Sequence, residues 1–170
     1  MYERSFTLSI ILGILVNYSL IILFFSGFFK LLSFKDFTLN TYEILNNKIS
    51  MNVITISSYI LIFMELSIPL IILLQLNIEK WELFLVSSLY LFTLIILLIA
   101  IYIGNKGKSC GCYGTKFKSN ISWKKVIENF LLCVIFFISI FFNIHISYIS
   151  IIFSLVLVII YFLKIYKRSY

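Results

Sequence analysis

FTLSIILGILVNYSLIILFFSGFF, residues 6–29, runs for 24 positions without a formal charge. As an α-helix rising about 1.5 Å per residue, it is long enough to cross a hydrocarbon core of about 30 Å. It is too long for a signal-peptide core and lacks a small-residue cleavage site, so it reads as a retained helix. Working outward, residues 53–78 form a second span interrupted only by Glu65, and residues 83–103 a third with no charge. Residues 129–163 also lack a formal charge. As one helix they would reach roughly 52 Å, more than a bilayer needs. The polar cluster Asn143, His145 and Ser147 predicts a tight turn there between two shorter spans, 126–143 and 147–163. The expectation is an all-α polytopic membrane helical bundle: one integral-membrane domain over 1–170, with five transmembrane helices, a four-helix core plus one.

Composition agrees. The 170 residues are 62% hydrophobic and 12% charged, about half the charge of an ordinary soluble domain, with a mean hydropathy of +1.08. The net charge of +7 comes with no nucleic-acid-binding motif. Juxtamembrane lysines explain it better. With five spans, Lys30, Lys35, Lys48, Lys106, Lys108, Lys116, Lys118, Lys124, Lys125, Lys164, Lys167 and Arg168 fall on one face, against Arg4 and Lys80 on the other. The positive-inside rule then puts the N-terminus outside and the C-terminus in the cytoplasm, with the 104–125 loop on the cytoplasmic side. Between the first two spans, Phe34, Phe37, Leu39, Tyr42, Ile44 and Leu45 fit either an amphipathic segment on the interface or a plain loop.

The chemistry concentrates in Cys110-Gly111-Cys112-Tyr113-Gly114. A disulfide between residues i and i+2 closes a very small ring, and a strained bond is suited to exchange rather than to stapling a fold. Gly111 removes a Cβ that would hinder closure, and the neighbouring lysines would favour a thiolate. The alternatives are a pair of free thiols or half a metal site. Only Cys133 and His145 remain as Cys/His ligands, and His145 falls on the opposite face, so a zinc site within one chain is disfavoured. Cys133 lies about 12 Å along its helix from Lys125. It could resolve a mixed disulfide formed at Cys110 or Cys112, or serve as a small buried hydrophobe.

Glu65 is the charged residue deep within a span, and an intramembrane acid is a functional candidate by default. Pro69 cannot donate to its carbonyl and predicts a kink. Asn17, at a matching depth in the first helix, is the expected hydrogen-bond partner of Glu65. Ser26-Gly27 allows close backbone approach. Lys30 would snorkel to the interface or bias a cysteine toward thiolate, and Asn129 would cap its helix or bond the cysteine loop. Trp81 and Trp123 read as interfacial anchors.

Ser26-Gly27-x-x-Lys30-Leu31, Glu65-Leu66 before Pro69, the Cys110–Gly114 element, and then Trp123, Val126, Asn129 and Leu132 occur in an order that resembles the MauE-type methylamine-utilisation membrane proteins, part of a broader DoxX-like, redox-associated group. The resemblance covers roughly residues 10–135. It implies a redox role for Cys110 and Cys112, and more loosely a role for Lys30, Glu65 and Asn129. It also implies assistance to disulfide formation or maturation of a thioredoxin-like or exported partner. It does not imply methylamine metabolism for this chain. Two other classes compete: a non-enzymatic accessory, immunity or assembly subunit, and a small proton-linked permease using Glu65. No cofactor is evident. Coupling to a quinone is weakened by the count of three cysteines, since a two-pair relay needs four.

Overall fold

The computed structural model describes residues 2–46, 48–75, 78–110, 120–142 and 148–169. They form six helices: α1 (Tyr2–Leu32), α2 (Phe34–Ile44), α3 (Met51–Gln75), α4 (Lys80–Tyr102), α5 (Trp123–Ser139) and α6 (Tyr148–Ser169). Among the described residues, extended pairing is confined to one isolated bridge, Ser109 with Asn120. Four segments are long and apolar enough to cross a membrane: Ser9–Leu32, Met51–Gln75, Lys80–Tyr102 and Tyr148–Lys167. The chain is an all-α polytopic membrane bundle. The helix expected over 126–143 is present as α5, but its 17 residues reach only about 25 Å. The turn expected at Asn143–Ser147 lies outside the described residues.

α1 is the axial helix, packing mainly on α3 and α6, while α4 packs on α5. Leu12, Val16, Leu20 and Leu23 recur at helical spacing along one stripe of α1. They share a core with Ile72 of α3, Leu83, Val86, Leu89 and Tyr90 of α4, and Phe136 of α5. The Tyr90 ring stacks on Phe136, with centroids 5.6 Å apart. A second stripe, Ile21 and Ile22, meets Val158 of α6. Lipid tails are as apolar as leucine, so burial alone does not hold such helices together and polar bonds contribute. Asn17 Nδ2 donates to Ser150 Oγ at 2.7 Å, and Ser154 Oγ to the Ile14 carbonyl at 3.0 Å. Asn17 is therefore a tie between α1 and α6, not the partner of Glu65.

α2 resolves the choice left open for residues 30–52 in favour of a helix. Its Phe37, Thr38 and Ile44 are buried, and Phe34 stacks on Tyr59 of α3 at 4.1 Å. Two asparagines fasten it to the segment that carries the first cysteine of the pair. Asn105 Nδ2 donates to the Ile44 carbonyl at 2.7 Å, and Asn40 Nδ2 to the Ser109 carbonyl at 2.9 Å. Beyond α4 the chain turns through Gly104 and Gly107, whose φ values of +92° and +90° suit glycine. A short stem follows, with Gly107 N–H donating to the Ile121 carbonyl at 2.9 Å and Ile121 N–H to the Lys108 carbonyl at 2.8 Å. Cys110 leaves this stem against Ile44, Leu97, Ala100 and Val126.

α1 and α3 approach closely at Gly27. A Cβ there would lie 2.9 Å from Glu65 Cβ and 3.3 Å from the Glu65 carbonyl carbon. Backbone on the far side cannot give way, so Gly27→Val should cost about 1–3 kcal/mol of stability. The expected outcome is a clear drop in the thermal midpoint of the detergent-solubilised protein, with Gly27→Ala between wild type and valine.

Candidate functional site

The Gly27 crossing sets the register of α1 on α3, and that register brings Lys30 onto Glu65. Lys30 Nζ donates to both carboxylate oxygens, at 2.5 and 2.7 Å. Both side chains are almost fully buried, at 4% and 1% exposure. The ammonium also sits 5.3 Å from the centroid of the Phe37 ring of α2, within cation–π range. Lys30 thus does not snorkel. It turns inward because the lone acid of α3 would otherwise be a buried charge without compensation, the costlier arrangement. α3 continues through Pro69, which is buried one turn beyond Glu65.

Asn129 is buried in the second turn of α5. Its Nδ2 donates to the Lys125 carbonyl at 2.9 Å and its Oδ1 accepts from Thr93 Oγ1 of α4 at 3.3 Å. It does not cap the helix: Ser122 does, accepting from the Lys125 N–H at 3.4 Å. On the same helix, Lys125 Nζ meets Glu128 Oε2 at 3.3 Å and donates to the Tyr161 hydroxyl of α6 at 3.4 Å.

These groups line one cavity of about 600 Å³. Lys30, Glu65, Cys110, Lys125, Glu128, Asn129 and Thr93 share its wall with a majority of aliphatic and aromatic side chains, drawn from all six helices and including Tyr161 of α6. The volume falls in the range of small-molecule sites, and the lining has their usual character, apolar with a few convergent polar groups. Four of the residues singled out in the sequence, Lys30, Glu65, Cys110 and Asn129, are therefore gathered around one space. Cys110 is disulfide-bonded and buried, whereas Cys133 is a free thiol. Cys112 lies outside the described residues. Cys133 is not part of the cavity wall. Its Sγ is 3.6 Å from Ser87 Oγ and 3.7 Å from the Ser87 carbonyl of α4, an arrangement that suits a partly buried packing thiol.

Thr93, Lys125, Glu128 and Tyr161 escaped the sequence reading. The three-residue spacing of Lys125 and Glu128 marked a local helical pair. That it faces a cavity depended on how α5 is rotated against α1 and α4. Trp81 and Trp123, by contrast, are exposed near the N-termini of α4 and α5, as membrane anchors should be.

The architecture and cavity define a multi-pass helical membrane protein with a polar site inside its bundle. Its residues 8–142 match the model of the family described as "Methylamine utilisation protein MauE", and the chain belongs to that family. No curated protein and no solved structure matches it.

Removing one partner of a buried ion pair leaves the other charge uncompensated. Lys30→Met or Glu65→Leu alone should therefore lose about 3–5 kcal/mol, whereas the double variant should recover most of it. Thermal unfolding of the four proteins in detergent, read as a double-mutant cycle, checks this. Simple additivity would contradict the pair as drawn.

Proposed function

We propose that this protein is a membrane thiol–disulfide redox protein, assisting disulfide formation in or maturation of a thioredoxin-like or exported partner through Cys110 and Cys112. The observation that carries the reading is the placement of disulfide-bonded Cys110 on the wall of the cavity that holds Lys30–Glu65, in a chain of the MauE family. In the exchange, a partner thiolate attacks one sulfur of the pair and displaces the other as thiolate. The partner's second thiolate then attacks the mixed disulfide. The partner leaves oxidised and the pair is left as a dithiol, two electrons having passed from partner to pair. The lysines of the loop favour the thiolate leaving group.

Two features of the topology belong to the same proposal. In it α5 serves as a fifth, short span, and the lysine distribution supports a cytoplasmic face for the cysteine loop and the C-terminus. A proton-linked permease is less well supported, because both oxygens of Glu65 are committed to Lys30.

Labelling of intact cells with a membrane-impermeant maleimide, with and without prior reduction, tests the reading. With the loop inside, Cys110 and Cys112 should label only after permeabilisation and reduction. Cys110→Ser and Cys112→Ser should each reduce partner oxidation to background while leaving the protein inserted. Cysteines that are permanently reduced and dispensable would sink the proposal.

A further inference from the structure

α3 packs chiefly on α1 and α4 on α5, and the cavity lies between these two pairs. Its wall includes Val53 and Ser57 of α3 and Phe92 and Ile99 of α4, all exposed on their helices. In a bilayer those positions face lipid, so the cavity is a cleft open sideways to acyl chains. We propose that it seats an acyl chain of an anionic phospholipid whose phosphate is held at the cleft's mouth by Lys48, Lys106 and Lys108. Thiol chemistry takes no part in this site.

The charge at the mouth follows from one clamp. Asn105 Nδ2 donates to the Ile44 carbonyl at 2.7 Å and lies 3.4 Å from Asn46 Oδ1, which joins the turn after α2 to the turn after α4. Lys48 is two residues beyond Asn46, and Lys106 and Lys108 are one and three beyond Asn105, so the clamp gathers three lysines at one edge. All three are exposed, and none has an ion pair among the described residues. The cleft reaches that edge through Leu45 and Ile49 on one side and Ala100 on the other. Uncompensated lysines at the end of an apolar cleft match an anionic head group on an apolar chain. The lysines deeper in the cleft, Lys30 and Lys125, are each paired with a carboxylate, so nothing there draws the phosphate inward. The wall also offers hydrogen bonds. Hydroxyls elsewhere on α3 bond the carbonyl one turn back, as Thr55 and Ser67 do. Ser57 and Ser58, both on the wall, make no such bond among the described residues, and Ser58 is only 4% exposed. A hydroxyl buried in hydrocarbon without a partner is costly unless a ligand supplies one. Ser57 lies roughly 9 Å along α3 from Met51. The ester carbonyls of a phospholipid, which accept but cannot donate, lie on the chain side of its phosphate and suit these donors.

The test titrates the full chain in detergent with palmitoyl-oleoyl phosphatidylglycerol and, separately, with the phosphatidylcholine of the same chains, and reads retained lipid by native mass spectrometry. Saturable retention of the anionic lipid is expected, about tenfold or more tighter than that of the zwitterionic one. Lys48→Gln, Lys106→Gln and Lys108→Gln combined should erase that preference. Ser57→Phe, at the exposed rim, should obstruct the cleft and weaken retention about tenfold while leaving the lysines in place. All four positions are exposed, so these variants should elute from gel filtration as the wild type does. Glycerol phosphate, which carries the phosphate without a chain, should not displace the lipid. Equal retention of the two lipids, or an unchanged preference in the triple variant, would overturn the phosphate site. Unchanged retention in Ser57→Phe, or displacement by glycerol phosphate, would overturn the seat for the chain and leave only a charged surface.

Discussion

A buried lysine held by a buried glutamate is the constraint around which this bundle is arranged. In lipid neither charge can be left alone, so Lys30 and Glu65 fix where along α3 the end of α1 must lie. Gly27 permits the approach that the pair demands, because a side chain there would strike Glu65 itself. The same register brings Phe37 of α2 over the ammonium and leaves the space toward α4 and α5 that becomes the cavity. A pair of this kind gives little net stability. Its contribution is to make every other register of α1 on α3 expensive.

Around that point the polar ties divide the work by depth. Asn17 and Ser154 join α1 to α6, Thr93 and Asn129 join α4 to α5, and Asn40 and Asn105 join α2 to the cysteine segment. Apolar contacts fill the space between these ties. This is the division expected in hydrocarbon, where greasy surfaces gain nothing by leaving the solvent and directional bonds select the partner.

The membrane-bundle class and its four long apolar helices were legible because long charge-free runs have few explanations other than lipid. α2 was only half legible, since its residues fitted an amphipathic segment or a plain loop equally well, and its place over the cavity was not legible at all. Glu65 announced itself as a charge that needed a partner, and Lys30 was in plain view 35 residues away, counted with the loop lysines. Depth counting from the ends of the spans pointed to Asn17 instead. It assumed that both helices begin at one level, whereas α1 runs on to Leu32 and carries Lys30 inward. Asn129 looked like a cap because it sits near the start of a helix, but Ser122 had already taken that role. Helix rotation and register depend on contacts spread over many residues, and no single residue type signals them. That is why Thr93 and the Lys125–Glu128 pair came to light only in three dimensions.

The two asparagines that fasten α2 have a thermodynamic consequence. α2 supplies Phe37, Thr41 and Ile44 to the cavity wall and, through Asn105 and Asn40, is bonded to the segments on either side of the turn that leads to Cys110. One short helix is therefore a shared boundary between two compartments. Any molecule that prefers one position of α2 biases the cysteine segment. By reciprocity, a covalent change at that segment that prefers one position of α2 alters the molecule's affinity by the same factor.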